Sequence, residues 1–133
     1  MSNPQMTEDR IQQECSMWFK NTYKEHRNKF FMIHNGGTKK KARAALDVSM
    51  GITKGVPDCQ LVMGRRGYFG LFIEFKTETG KLSSVQSEVI AEFIKENYFV
   101  SVIKNIDDFK KLIWWYFEKS LTETTDVQIG NEI

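Results

Sequence analysis

Residues 55–76 constrain the fold of this 133-residue chain more than any other stretch. They contain two short apolar runs, residues 59–63 and 68–75, which are separated by the polar sequence Gly-Arg-Arg-Gly. Apolar runs of this length on either side of a glycine-bounded break predict an antiparallel β-hairpin. Apart from the arginines of the turn, the stretch carries three charged residues, Asp58, Glu74 and Lys76.

The predicted hairpin register brings the two acidic residues together. A turn centred between Arg65 and Arg66 places Asp58 nearly opposite Glu74. Residues that face each other across an antiparallel pair have Cβ atoms about 4.5–5.5 Å apart. Side chains two positions apart lie on one face of a strand, so Lys76 is expected on the same face as Glu74.

Two facing carboxylates repel each other unless a positive charge lies between them. A divalent cation removes that repulsion, and Mg²⁺ is commonly held by one or two carboxylates together with waters and phosphate oxygens. The alternative is that Glu-x-Lys is a solvated polar face and that Pro-Asp is simply a turn. Burial favours a site, because charged groups within a strand covered on both faces are costly unless they are paired or coordinated. The apolar neighbours that predict such coverage are Phe69, Leu71, Phe72, Ile73 and Phe75.

Composition bounds the class of protein. With 41% hydrophobic residues, the chain can form a single core, so we expect one domain over residues 1–120. The polar tail, residues 121–133, is expected to be disordered or exchanged with a partner. No apolar stretch approaches the roughly 20 residues of a membrane span, and the N-terminus does not resemble a signal peptide. Cys15 and Cys59 are too few for a disulfide scaffold, so a reduced, cytoplasmic protein is expected.

The net charge of +2 hides an uneven distribution. Residues 20–66 hold eleven Lys and Arg against three acids, a net charge of +8. Such clustering suits a polyanionic partner, although an ordinary solvated surface remains the alternative. Thr38 is predicted to cap a helix over residues 39–50, and the start of a basic helix is a natural contact for backbone phosphates. The spacing does not match a nucleotide-binding P-loop. The candidate nucleic-acid contacts are Lys39, Lys40, Lys41, Arg43 and Lys54.

Three predicted helices carry further candidates. In the first, residues 8–23, Glu14 lies at the edge of the apolar face, as either a flank residue or a ligand. Another helix opens with Ser83 and Gln86, which fit a capping box that competes with a catalytic role for Gln86. In the last, residues 107–120, Trp114 and Trp115 fall off the apolar face. They are expected either to form a homodimer contact or to cover the sheet margin.

The order of these elements resembles the PD-(D/E)xK nuclease superfamily, and more closely the virus-type replication-repair nuclease (VRR-NUC) family. The sequence similarity covers about residues 11–117. Its motifs include Gly-Val-Pro-Asp at residues 55–58, Ile-Glu-Phe-Lys at 73–76, and Gly-Lys-Leu-Ser-Ser-Val-Gln at 80–86. His34 and Asp47 depart from the family pattern, outside the candidate catalytic set. The resemblance implies an α/β, restriction-endonuclease-like core: a mixed four-stranded sheet with flanking helices in the order α-β-α-β-β-α-β-α.

The resemblance also implies roles for individual residues. Glu14, Asp58, Glu74 and the backbone carbonyl of Phe75 would bind Mg²⁺ or Mn²⁺. Lys76 would orient or activate the attacking water, and Gln86 would lie beside the site.

The implied activity is that of a metal-dependent DNA endonuclease acting as a homodimer on branched DNA, such as a four-way (Holliday) junction. The implied setting is replication, recombination or repair in a bacterium or a phage-infected cell. A flap or nicking nuclease acting as a monomer is one alternative. A non-catalytic nucleic-acid-binding module is another.

Overall fold

The computed structural model describes residues 6–37 and 40–118. The predicted order of helices and strands is confirmed, with an additional 3₁₀ helix at Lys24–Lys29. The predicted tail, residues 121–133, lies outside the described residues. The elements are α1 (Glu8–Thr22), β1 (Phe30–Met32), α2 (Lys41–Ser49), β2 (Cys59–Leu61), β3 (Leu71–Phe75), α3 (Ser84–Lys95), β4 (Phe99–Ile103) and α4 (Ile106–Glu118).

The four strands form one mixed sheet in the order β1-β2-β3-β4. The β1–β2 and β2–β3 pairs are antiparallel, whereas β3 and β4 are parallel. Cys59 pairs with Ile73, so the next pair outward is Asp58 and Glu74, as the sequence predicts. Arg66 and Gly67, with φ angles of 53° and 85°, form the centre of the connecting turn. Positive φ at both central residues matches the right-handed twist of a hairpin.

Helices cover both faces of this sheet. Residues of α1 and α4 pack against one face of the sheet and form the larger core with it. This core includes Phe19, Phe75 and Phe109. On the other face, Ile90 of α3 packs in a smaller cluster with Phe72 and Val100. All five residues of β3 are buried, which explains the nearly continuous apolar sequence of this strand. In the described part of the chain, each helix is too short or too polar to cross a membrane.

The basic helix α2 begins later than predicted. Lys40 has an extended backbone (φ −82°, ψ 120°) in the N-cap position, and no side chain caps the helix. The predicted cap, Thr38, and its neighbour Lys39 lie outside the described residues. Asp47 is the buried residue of α2, and its carboxylate lies 2.9 Å from Nε of Arg43. Arg43, predicted as a DNA contact, is therefore already engaged within the helix.

The two tryptophans of α4 occupy different environments, so the prediction that both face outward is wrong for Trp115. Its ring packs 4.9 Å from that of Phe99, and the guanidinium of Arg66 lies 4.3 Å from it on another side. Trp115 follows the buried Leu112 by three positions, which places it on the flank of the buried face. It covers the sheet margin within the subunit. Trp114 is 54% exposed.

Candidate active site

The carboxyl groups of Asp58 and Glu74 meet at one end of the β2–β3 hairpin. Asp58 directly precedes β2, and its Oδ2 accepts a hydrogen bond of 2.7 Å from the backbone N–H of Phe75. The two carboxyl groups lie within hydrogen-bonding reach of each other. The hairpin therefore brings together two acids that are far apart along the sequence, on one face of the sheet.

The loop before Asp58 fixes its position. The carbonyl of Asp58 accepts a hydrogen bond of 2.7 Å from the N–H of Ile33. Gly55 has a φ of +91°, and a Cβ at this position would lie 2.9 Å from the carbonyl oxygen of Val85. Only glycine allows this conformation together with so close an approach. The loop that carries Asp58 is thus packed directly against the start of α3.

Glu74 is the most unusual charged group of the site. The residue is 2% exposed, and its Oε2 atom has no hydrogen-bond partner among the described residues. The pKa of Glu74 is raised to about 8, chiefly by burial and then by the neighbouring charge of Asp58, against the opposing effect of Lys76. Burial also raises the pKa of Asp58, although the Phe75 N–H opposes this change. Ionised carboxylates are acceptors only, so the pair needs a shared proton or a cation between its oxygens.

Lys76 supplies one positive charge to this acidic pair. Its Nζ lies 3.7 Å from Oε1 of Glu74, and its side chain is 11% exposed. A single ammonium group leaves the two ionised carboxylates with one uncompensated negative charge. The position of Lys76 beside Glu74 agrees with the shared strand face that the sequence predicts.

Gln86 contacts Glu74 and caps α3 at the same time. Its Nε2 donates a 3.0 Å hydrogen bond to Oε1 of Glu74. Its Oε1 accepts a 2.9 Å bond from the N–H of Ser83, while Oγ of Ser83 accepts from the N–H of Gln86 at 3.1 Å. The capping role and the contact with the acidic pair, which compete as explanations in the sequence, therefore coexist in one side chain.

Two substitutions separate these roles of Gln86. Gln86→Glu keeps an acceptor for the Ser83 N–H but removes the donor to Glu74 and adds a third acid, so we expect DNA cleavage to fall at least tenfold. Ser83→Ala removes the reciprocal cap and should cost about 1 kcal/mol of unfolding free energy while cleavage stays near the parent rate. Urea denaturation and initial cleavage rates measure the two effects. Equal rates for Gln86→Glu and the parent would leave Gln86 with the capping role alone.

Glu14 does not join the acidic pair. Its carboxylate lies 3.5 Å from Nε of Arg10, and its side chain is 35% exposed. The α1 acid whose charge raises the pKa of both Asp58 and Glu74 is Glu8. Glu8 is exposed, but it precedes the buried Ile11 by three positions and so lies one turn before it on the same side of the helix. That spacing is the sequence signal that would have identified Glu8.

The donor atoms present fit a hard divalent cation. Among the described residues, no cluster of three or more His, Cys, Asp or Glu side chains could hold a metal by itself. The site instead offers two carboxylates and the unpartnered Oε2 of Glu74. In an extended strand the N–H and C=O of one residue point to the same side, so the Phe75 carbonyl lies toward Asp58. Oxygen donors with room for waters and phosphate oxygens are the setting that Mg²⁺ and Mn²⁺ prefer.

The predicted nucleic-acid contacts lie on the surface where the structure describes them. Lys40, Lys41, Arg43 and Lys54 are exposed. Lys39 lies outside the described residues. These exposed side chains can contact a polyanion. Arg43 would do so while it remains paired with Asp47.

The mixed four-stranded sheet, flanked by helices on both faces, belongs to the α/β class that the resemblance implies. The family model described as the VRR-NUC domain matches residues 6–105, and the chain belongs to this family, which is of nuclease type. A solved structure described as a VRR_NUC domain protein is similar in fold, with a TM-score of 0.76 and 26% sequence identity. The similarity covers 89% of this chain and 93% of that one. A comparison with curated protein sequences finds no match.

Proposed function

We propose that this protein is a metal-dependent DNA endonuclease that hydrolyses phosphodiester bonds. The observation that supports this most strongly is the buried Glu74, whose Oε2 is unpartnered among the described residues and whose pKa is raised by the neighbouring Asp58. A purely structural acid at this position would be expected to have its charge compensated. Membership of the VRR-NUC family supports nuclease chemistry.

Asp58, Glu74 and the Phe75 carbonyl would hold the cation, and the charge of Glu8 in α1 acts on both carboxyl groups. When bound, Mg²⁺ or Mn²⁺ supplies a Lewis acid and neutralises phosphate charge. Lys76 contributes an ammonium donor and a point charge at the attacked phosphate, where it orients the water. Gln86 holds Oε1 of Glu74, which leaves Oε2 directed to the shared space beside Asp58.

We extend the proposal to branched DNA, including four-way junctions, cut by a homodimer. Two active sites related by a two-fold axis suit a symmetric substrate. The exposed ring of Trp114 provides an apolar contact for a second subunit, beside a surface cleft of about 550 Å³ lined by Tyr23, Lys111 and Phe117 among others. The setting we propose is the cytoplasm, in replication, recombination or repair.

The packing of Trp115 within the subunit favours a second candidate, a flap or nicking nuclease that acts as a monomer. The guanidinium of Arg66 and the ring of Phe99 already contact the Trp115 ring. Of the two tryptophans that the sequence predicts as a dimer contact, only Trp114 is then available to a second subunit. A monomer with one active site would cut one strand at a flap or nick.

One experiment tests the activity and the substrate class together. Labelled linear duplex, flap and four-way DNA are incubated with the protein in Mg²⁺, in Mn²⁺ and in EDTA. Paired symmetric cuts in the four-way DNA, dependent on metal, support the junction-cutting dimer, whereas single cuts at the flap support the monomer. Binding of all three without cleavage in any metal would contradict the nuclease and leave a nucleic-acid-binding module.

Trp114→Ala tests the dimer. If the exposed ring anchors a second subunit, its removal should weaken self-association at least tenfold, and sedimentation velocity should show the mass fall from dimer to monomer. Met17→Ala, which removes another exposed apolar side chain (57% exposed), is the matched control. A parent protein that already sediments as a monomer, or a variant that keeps the dimer mass, would contradict this interface.

Glu8→Gln and Glu14→Gln test which acid of α1 serves the site. We expect Glu8→Gln to lower the cleavage rate at limiting Mg²⁺ at least tenfold and to raise the metal concentration needed for half-maximal rate, because its charge acts on both site carboxylates. Glu14→Gln, whose parent pairs with Arg10, should behave as the parent protein. A lower cleavage rate for Glu14→Gln, with Glu8→Gln behaving as the parent protein, would instead identify Glu14 as the acid of α1 that serves the site.

A further inference from the structure

A second pair of like charges lies next to the acidic pair, on the same face of the sheet. In the parallel β3–β4 ladder Glu74 pairs with Val102 and Phe75 with Ile103. The N–H of Lys76 donates to the carbonyl of Ile103 at 3.0 Å, so the ladder continues and brings residue 76 beside Lys104. Neighbouring strands are about 4.8 Å apart, and like charges that face each other across two strands are unfavourable.

The space around these two lysines is a cavity of about 390 Å³. Three of its lining residues are lysines, namely Lys76, Lys81 and Lys104, and Ser87 from the first turn of α3 adds a hydroxyl. No acidic residue of the described chain is among those that line it. The Nζ of Lys104 reaches only a neutral acceptor, the carbonyl of Glu78, at 3.3 Å. The cavity therefore presents positive charge and hydrogen-bond donors that suit an anion.

Lys76 connects this cavity to the acidic pair, because its Nζ lies 3.7 Å from Glu74 while its side chain lines the cavity. Two residues along β3 and one strand across separate Glu74 from Lys104, which corresponds to a distance on the order of 8 Å. A nucleic-acid strand that has one phosphate at the acidic pair would bring a neighbouring phosphate to such a distance.

We infer that the cavity lined by Lys76, Lys81, Lys104 and Ser87 binds an internal phosphate of the DNA strand, one or two nucleotides from the bond that is cut. This inference rests on the proposed nuclease function and adds the part of the substrate that is held beside the cleaved bond. Lys104 is the residue to substitute in a test of this inference, because Lys76 also forms an ion pair with Glu74. The negative charge of this phosphate would relieve the repulsion between Lys76 and Lys104. A cation would do the same for Asp58 and Glu74.

Lys104→Ala tests the inference through the salt dependence of binding. The probe is a fluorescent DNA of the form that the parent protein cleaves fastest, titrated in EDTA at several salt concentrations. Loss of one phosphate contact should reduce the slope of log K against log salt by about 0.9, which corresponds to about fivefold weaker binding at 0.15 M salt. Lys104→Arg should restore the slope. Lys24→Ala, which removes an exposed lysine at the start of the 3₁₀ helix and outside the cavity, is the control and should bind as the parent.

Neutral phosphate replacements locate the contact on the DNA. Single methylphosphonates are placed in turn at each position around the cut. One position near the cut should weaken binding of the parent but have no further effect on Lys104→Ala, because both changes remove the same contact. If the replacement that has no further effect on Lys104→Ala is at a terminal phosphate, the cavity binds a DNA end rather than an internal phosphate, and the inference is overturned.

The outcomes separate this inference from the proposed function. If the parent cleaves DNA but Lys104→Ala keeps its salt slope and affinity, the cavity is not a phosphate site and the nuclease assignment stands. If the parent cleaves no DNA, four-way DNA is the probe, and loss of one phosphate contact in Lys104→Ala then leaves the cavity as a phosphate site of a binding module while the nuclease assignment falls. In a parent that cleaves, the loss should appear mainly in KM, because Lys104 has no contact with the acidic pair.

Discussion

Replacing Glu74 with glutamine is expected to lower kcat for DNA cleavage about a thousandfold or more, because the site loses a carboxylate that holds the cation. DNA binding in EDTA should remain within about twofold of the parent, since the proposed contacts to phosphates are lysines rather than this buried acid. The amide keeps the size of the side chain, so Glu74→Gln changes charge with little change in packing. Cleavage rates at saturating DNA and fluorescence titrations measure the two quantities separately.

The control for Glu74→Gln is Glu14→Gln, which removes a carboxylate that pairs with Arg10 away from the acidic pair. It should cleave and bind as the parent does. A stability measurement adds an independent result: without metal, Glu74→Gln should unfold at a higher temperature, since it removes the repulsion with Asp58. If Glu74→Gln loses binding and cleavage equally, Glu74 has been misassigned and supports the fold instead.

The metal-free protein is expected to become less stable as the pH rises from about 4.5 to about 8. The pKa of Glu74 is raised from 4.5 to about 8 in the folded state, chiefly by burial and then by the charge of Asp58. In this range the folded protein binds a proton that the unfolded chain has released, so the unfolding free energy falls with pH. The burial that raises the pKa of Asp58 acts in the same direction.

Urea denaturation in EDTA at about pH 5.5 and about pH 8.5 measures this change, which should be on the order of 3 kcal/mol. Mg²⁺ or Mn²⁺ should restore most of the lost stability at the higher pH, because a cation that binds only the folded state stabilises it. Glu74→Gln is the control and should show a much flatter pH dependence and a weaker response to metal. Equal stability of the parent at both pH values in EDTA, with no gain at the higher pH when metal is added, would contradict the unbalanced acidic pair.

The sequence could predict the fold and the centre of the site because these depend on local patterns. The glycine-bounded break locates the hairpin turn, although its central residues are Arg66 and Gly67 rather than Arg65 and Arg66. A shift of one residue still leaves Asp58 and Glu74 nearly opposite each other, so they could be paired before any coordinates. Ser83 and Gln86 are separated by the spacing of a capping box, which the structure contains. Each of these patterns involves residues within one element or one hairpin.

The features that the sequence did not predict depend on contacts between elements or on the ends of helices. Glu8 was overlooked because it is the first residue of α1, one turn before the apolar residues that reveal the buried face. Trp115 could not be distinguished from Trp114 by spacing alone. Its environment is set by Arg66 of the hairpin turn, which is distant in the sequence. The late start of α2 reflects a basic segment without a strong capping residue at the observed boundary.

The double role of Gln86 makes the geometry of the acidic pair depend on the first turn of α3. The side chain that holds Glu74 also closes that turn onto Ser83. Fraying of a single helical turn would therefore release one oxygen of Glu74 while most of the chain is still folded. The proposed nuclease activity would then require closure of this helix, in partly denatured and newly synthesised molecules alike.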